Sequence, residues 1–163
     1  MNKGLWLLLI TAMLSVWNAG IVWFTQLAVY PLWPLVEAQH FHDFHLAWWR
    51  GMWPSFAPVV LMLLCSVALF WVRPKGISTP LLWMGIALQV TVHTLTVLFW
   101  APIQAAMATP QGMSMLKYQQ LMSTHWWRVG LFVAYAALSV WMLSTAITAN
   151  ALAGPRKDER ASV

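Results

Sequence analysis

The chain has 163 residues, of which 61% are hydrophobic and only 8% are charged, and its formal net charge is +5. Soluble globular proteins carry about 25% charged residues, so this chain has too few to cover a surface that faces water. Its basic residues lie at the ends of apolar segments and form no stripe, which argues against a nucleic-acid partner. The composition predicts an integral membrane protein whose main partner is the lipid bilayer.

Four apolar stretches are each long enough to cross a hydrocarbon core of about 30 Å as an α-helix. None of them alternates with a period of two, which excludes the strands of a membrane barrel. We therefore predict an all-α bundle of four transmembrane helices at about residues 5–29, 48–72, 80–100 and 126–150, within a single domain at 1–153. Residues 154–163 are predicted to form a charged tail.

Lysine and arginine predict how these helices are oriented. One side of the predicted bundle carries Lys3, Arg73, Lys75, Arg156, Lys157 and Arg160, and the other carries Arg50, Lys117 and Arg128. The side that is richer in basic residues is expected to be cytoplasmic. Both termini are therefore predicted to lie in the cytoplasm, and we expect a bacterial inner membrane.

The two halves of the chain resemble each other. Trp-Trp-Arg occurs at residues 48–50, where the second helix begins, and again at residues 126–128, where the fourth begins. In each half the preceding helix ends at a proline, Pro31 or Pro102. A repeated unit of two helices keeps its orientation, so the pattern predicts two parallel helix-hairpin repeats. Coincidence in a tryptophan-rich chain is the alternative.

A cluster of histidines precedes the second helix. His40, His42 and His45 lie close together in the sequence, with Glu37 and Asp43 beside them. Imidazole and carboxylate groups are good ligands for transition metals. A metal site formed by His40, His42 and His45 is one interpretation of this spacing, and solvated loop histidines are the other.

Two interpretations are open for Arg50 and Arg128. Each can anchor a helix start at the lipid headgroups, beside the neighbouring tryptophans. Alternatively, both turn inward and hold an anionic or carbonyl-bearing ligand, because a guanidinium binds such oxygens with two donors and stacks on tryptophan. The second interpretation predicts a ligand-binding set that consists of Gln26, Trp49, Arg50, Trp127 and Arg128.

Three histidines are candidates for acid–base catalysis. His45 and His125 lie at the predicted outer ends of the second and fourth helices, and His93 lies near the middle of the third. An ionisable group at that depth is expected to face the bundle interior. For His93 the alternative is a neutral imidazole that is bonded to a neighbouring threonine or glutamine. No phosphate-binding loop, GxGxxG or GxSxG motif accompanies these residues.

Three segments of the sequence also resemble motifs of a known family. They are Gln26…Val29-Tyr30-Pro31-Leu32, Phe41…His45-x-x-Trp48-x-Arg50 and Trp126-x-Arg128. They are similar to motifs of small bacterial four-helix membrane proteins of the anthrone-oxygenase-like family, which has asparagine where this chain has His125. The resemblance implies oxygenation of an activated polycyclic phenol without a cofactor, with His45, His93 or His125 as base and arginines holding the phenolate.

Together these patterns predict a small membrane oxidoreductase or oxygenase-like protein that binds an apolar aromatic or quinone-type ligand in a periplasm-facing pocket. The predicted pocket is lined by His45, Arg50, His125 and Arg128, with Gln26 and His93 beneath. Its chemistry uses either no cofactor or a transition metal. A non-enzymatic accessory subunit or small transport component, and a periplasm-facing metal-binding protein, remain alternatives. A homo-oligomer or a membrane partner protein is compatible with each of them.

Overall fold

The computed structural model describes residues 3–152, and 86% of them are helical. The elements are α1 (Lys3–Phe24), α2 (Ala38–Met52), α3 (Ala57–Ala68), α4 (Thr79–Leu95), α5 (Ala101–Ala105), β1 (Ala108–Thr109), β2 (Gly112–Met113) and α6 (Met115–Leu152). Short turns of π or 3-10 helix extend or connect the α-helices of the first three spans, and α6 alone forms the fourth. The four continuous spans, numbered 1 to 4, are Lys3–Leu35, Ala38–Ala68, Thr79–Ala105 and Met115–Leu152. The predicted tail lies outside the described residues.

All four spans are long and apolar enough to cross a membrane. Only 17% to 44% of the residues in their most apolar stretches are buried inside the protein. Large side chains such as Trp71 and Leu98 point outward and are 78% and 72% exposed. Water solvates such a surface poorly, so the structure fits a multi-pass membrane protein. It confirms the prediction of an all-α fold with four long apolar helices.

Spans 2 and 4 begin earlier than predicted, at Ala38 rather than about residue 48 and at Met115 rather than about residue 126. The extra turns contain polar residues, which hydropathy alone assigns to loops. In α2 they form an amphipathic helix that buries Phe41 and His45 and exposes its other face. Span 3 continues through Pro102 because that proline stands in the first turn of α5, where proline is tolerated.

The four spans pack in a ring, because spans 1 and 3 each contact spans 2 and 4. Polar side chains join the spans inside the bundle. The Tyr135 hydroxyl hydrogen-bonds to Ser66 Oγ, which also accepts a bond from Gln89 Nε2 at 2.7 Å. Ser15 and Ser139 share a hydrogen bond between spans 1 and 4. Such pairs satisfy polar groups that lipid cannot satisfy.

A short antiparallel hairpin, β1–β2, covers the start of α2. Gly112 lies in this hairpin with φ +108°, a conformation that L side chains rarely adopt. A Cβ at this position would lie 2.9 Å from the Cα of Ala38. Glycine therefore allows the hairpin to approach α2 closely, and this contact fixes the first turn of α2 next to the loop that leads into α6.

Candidate functional site

A cavity of about 50 Å³ lies among all four spans, beside the middle of span 2 and the first half of span 4. It has room for a few water-sized groups. Polar side chains occur among its otherwise apolar and aromatic walls: Asn18, Thr25, Tyr30, Ser55, Gln104, His125 and Arg128. A small set of polar groups in an apolar pocket is the usual composition of a ligand site.

Arg128 brings a positive charge to this cavity. Its guanidinium carbon lies 5.9 Å from the ring centroid of Trp100, in cation–π range. Its Nε is shielded from solvent and has no hydrogen-bond partner, and among residues 3–152 no ion pair includes Arg128. A shielded cation is stabilised by an acceptor oxygen. The described part of the chain supplies none to this Nε.

His125 is fully buried on the wall of the same cavity. Its Nδ1 lies 2.9 Å from Gln26 Oε1, and Gln26 Nε2 lies 3.4 Å from the Met122 carbonyl. Because the amide nitrogen of Gln26 must donate to that carbonyl, its oxygen accepts from His125 Nδ1–H. In the neutral ring the other nitrogen, Nε2, keeps its lone pair and can accept a proton, and it has no hydrogen-bond partner in the described part of the chain.

Tyr30 supplies a further hydroxyl. Its oxygen accepts a hydrogen bond from Gln104 Nε2 at 2.6 Å, which leaves the phenolic proton free to be donated. The Tyr30 ring meets the His125 ring edge-on, with centroids 5.0 Å apart. The sequence-based interpretation did not include Tyr30 in the site. The available signal was its place beside Pro31, in the same apolar stretch as the polar residue Gln26.

The cavity lies where spans 1 and 3 depart from regular α-helix. Thr25–Val29 and Thr96–Trp100 are each a π turn of five residues. Such turns insert an extra residue and occur frequently at functional sites. Their consequence here is the burial of Gln26 and Trp100 against span 4, where they contact His125 and Arg128. Both turns therefore help to position the two groups that could carry chemistry.

Four of the residues that the sequence predicted for the site come together. His125, Arg128 and Trp49 line the cavity, and Gln26 supports His125 through the bond described above. They come from the first halves of spans 2 and 4 and the second half of span 1.

Three other predicted residues lie elsewhere around the same region. His45 is buried and stacks on Trp48, with ring centroids 6.0 Å apart, and it is Trp48 that lines the cavity. Arg50 is exposed, and Trp127 is 73% exposed. None of these three contributes to the cavity wall.

His93 does not line the cavity either. Its Nδ1 lies 2.5 Å from the Gln89 carbonyl oxygen one turn earlier in α4, so the ring donates to its own helix. His93 is thus hydrogen-bonded within α4, to the backbone carbonyl of Gln89.

The structure does not bring His40, His42 and His45 around one point. His40 and His42 are exposed on α2, whereas His45 is buried. His40 Nε2 lies 3.8 Å from Glu37 Oε2. Within residues 3–152, no group of three or more His, Cys, Asp or Glu side chains is placed to hold a metal ion.

Comparisons of this chain with protein-family models, with curated proteins and with solved structures gave no match.

Proposed function

We propose that this protein is a small membrane oxidoreductase or oxygenase that binds an apolar aromatic or quinone-type ligand by an oxygen atom. One observation carries the proposal: Arg128, whose Nε is unpartnered, and His125, whose Nε2 is unpartnered, both line a single, mainly apolar cavity. One group requires an acceptor and the other a donor. A phenolic or enolic hydroxyl offers both.

The chemistry begins with proton removal. His125 Nε2 accepts the proton of the bound hydroxyl, and the Arg128 guanidinium stabilises the negative oxygen that results. Tyr30 holds a further donor on the same wall. A phenolate or enolate is electron-rich enough to react with molecular oxygen. For an anthrone, one O₂ is consumed, the ring carbon is oxidised to a carbonyl, and one water leaves.

The direction in which the cavity faces is part of the proposal. It lies at the end of the bundle opposite Lys3, Arg73 and Lys75. If the lysine-rich and arginine-rich end is cytoplasmic, the cavity faces the periplasm of a bacterial inner membrane. Because the number of spans is even, both termini then lie in the cytoplasm.

We also propose that the chain is a tandem repeat of two helix hairpins. Its support is the matching position of the two π turns, each of which ends two residues before a proline, Pro31 or Pro102. In each turn the first threonine donates from Oγ1 to the carbonyl four residues earlier, from Thr25 to Ile21 and from Thr96 to Val92.

Anthrone oxidation tests the activity directly. The purified protein in mild detergent is mixed with anthrone, and oxygen uptake is followed together with the quinone absorbance, against the spontaneous rate. We expect the native protein to accelerate the reaction. Arg128→Gln removes the cation and should abolish the acceleration, whereas the matched variant Arg50→Gln should retain it, because Arg50 lies outside the cavity.

Two results would count against this activity. If the native protein leaves the spontaneous rate unchanged, it is not an anthrone oxygenase, and binding must then be measured separately. If Arg128→Gln is as active as the native protein, the cavity is not the site of the reaction.

The placement of Arg50 and Trp127 supports a second candidate, a non-enzymatic accessory subunit or small transport component. Both side chains point outward in the first halves of spans 2 and 4, as residues that anchor a helix at the headgroups or contact another protein would do. This candidate predicts that Arg128→Lys is harmless and that the protein co-purifies with a membrane partner. The oxygenase proposal predicts loss of function in Arg128→Lys.

A further inference from the structure

The cavity is closed on three sides and less closed on the fourth. Its walls from spans 1, 3 and 4 are largely buried, as at Asn18, Gln104 and His125. The lining residues of span 2, within residues 48–59, are all half-buried, and Ile21 on α1 is half-buried opposite them. The partly exposed lining therefore follows the seam between α1 and residues 52–59.

The backbone explains why a seam exists there. Span 2 leaves the α-helix at the 3-10 turn Trp53–Phe56, which contains Pro54, and Pro58 follows in the first turn of α3. Proline removes backbone hydrogen bonds and changes the direction of a helix. α1 packs along α3 but makes few contacts with α2. Spans 1 and 2 therefore separate at the turn Trp53–Phe56, beside the cavity.

Outward-facing side chains around the seam are apolar. Phe24 on α1 is 63% exposed, and on span 2 Trp53 and Val60 are 65% and 56% exposed. Water would be a poor solvent for this surface, whereas lipid chains solvate it well. The mouth of the seam therefore suits contact with the bilayer.

The depth of the seam's mouth along the membrane normal also fits the outer part of the bilayer. At 1.5 Å per residue, α1 rises roughly 28 Å between Lys3 and Val22, which is close to the thickness of the hydrocarbon core. Trp23 and Trp126 meet edge-on at that level, with centroids 5.8 Å apart, and tryptophan is enriched at membrane interfaces. The cavity wall at Val22 thus lies near the headgroup boundary, opposite the end that carries Lys3.

Size limits what can enter. The cavity of about 50 Å³ is well below the roughly 150 Å³ of an apolar cavity that holds one benzene ring. A small oxygen-bearing head fits beside Arg128 and His125. The rest of an aromatic ligand does not fit and must remain outside the cavity.

From these observations we infer that the ligand is a membrane-dissolved amphiphile that reaches the cavity sideways from the bilayer. Its hydroxyl or carbonyl head enters between α1 and the turn Trp53–Phe56, and its apolar body stays in the seam among Ile21, Phe56 and Val59. This inference rests on the proposed function for the identity of the head, and adds the class of ligand and its route.

Photolabelling in vesicles tests the route without relying on activity. The full chain is reconstituted in phosphatidylethanolamine and phosphatidylglycerol vesicles with a long-chain 4-alkylphenol that carries a diazirine next to the ring. After illumination, adducts are mapped by peptide mass spectrometry. We expect them to be concentrated on Ile21, Phe56 and Val59, and to be suppressed several-fold by excess unlabelled alkylphenol.

Two controls separate the seam from ordinary lipid contact. A diazirine on a plain alkane chain should label exposed side chains on all four spans, such as Leu64 and Leu98, without concentrating at the seam. Ser55→Trp, which places a large ring in the seam, should suppress the phenol adducts. Val90→Trp, on the exposed surface of α4 and away from the seam, should leave them unchanged.

The outcomes distinguish the route from the proposed head recognition. Adducts on residues 37–45 or on the hairpin would show access from the aqueous end and would overturn the inference. Equal labelling by the phenol and the plain alkane would do the same. If seam labelling by the phenol persists in Arg128→Gln at native strength, the route stands and recognition of the oxygen by Arg128 fails.

Discussion

Residues 48–50 and residues 126–128 have the same sequence, Trp-Trp-Arg, in the first halves of spans 2 and 4. In the first copy the middle tryptophan, Trp49, lines the cavity and Arg50 is exposed. In the second copy the middle tryptophan, Trp127, is 73% exposed, and it is Arg128 that lines the cavity. One tripeptide thus supplies an aromatic wall from one span and a cation from the other.

Helical phase explains the difference. Residues three or four apart share a face of a helix. Arg128 is three residues after His125, so the two groups lie on one face of α6. On α2 the buried face passes from His45 to Trp48 and Trp49, and Arg50, five residues after His45, points elsewhere. Which residue of each copy lines the cavity therefore depends on the spacing from the preceding histidine and not on the tripeptide itself.

Replacing the two histidines should give the largest contrast. His125→Ala removes the proposed base and should lower kcat for anthrone oxidation by about 10² to 10⁴-fold, the range for a general base. His45→Ala leaves the cavity lining intact and should stay within a few-fold of the native rate. The measurement is initial rate at saturating anthrone. Equal losses in both variants would show that the two histidines are not functionally distinct.

Replacing the two arginines by lysine should have the next largest effect. Lysine keeps the charge but lacks the planar guanidinium that stacks on Trp100. Loss of a charged hydrogen bond of about 1.5–3 kcal/mol should weaken binding of 1,4-naphthoquinone by roughly 10 to 100-fold in Arg128→Lys. Arg50→Lys should bind normally. Tryptophan fluorescence quenching measures both, and unchanged affinity in Arg128→Lys would favour the accessory-subunit candidate.

Gln26 distinguishes positioning from direct contact. Gln26→Leu removes the acceptor of His125 Nδ1–H, so the ring is free to reorient. We expect kcat for anthrone to fall by roughly tenfold, the equivalent of one buried hydrogen bond of about 1 kcal/mol or slightly more, with little change in KM. Gln26→Glu retains an acceptor oxygen and should recover part of the rate. If KM rises instead and kcat is unchanged, Gln26 contacts the ligand itself.

The sequence predicts the four apolar helices well because length and hydropathy alone determine them. It places the starts of spans 2 and 4 too late, because polar residues near the starts of α2 and α6 interrupt the apolar pattern from which the spans were predicted. Residue type was enough to propose Arg128, His125, Gln26 and Trp49 as candidates, and the structure brings these four together at the cavity. Arg50 and Trp127 could be excluded from the cavity only once the direction of each side chain on its helix was known. Tyr30 could be included only once the π turn that precedes it was known.

The two middle tryptophans should give the smallest contrast. Trp49 contributes half-buried aromatic wall to the cavity, so Trp49→Leu removes part of the apolar contact area. Aromatic contacts of this kind contribute about 0.5–1.5 kcal/mol, and 1,4-naphthoquinone affinity should fall by roughly two to tenfold. Trp127→Leu should leave the affinity unchanged, because its side chain faces away from the cavity. A loss in Trp127→Leu that matches Trp49→Leu would mean that both copies of the tripeptide contact the ligand, and helical phase would then no longer explain how the two copies differ.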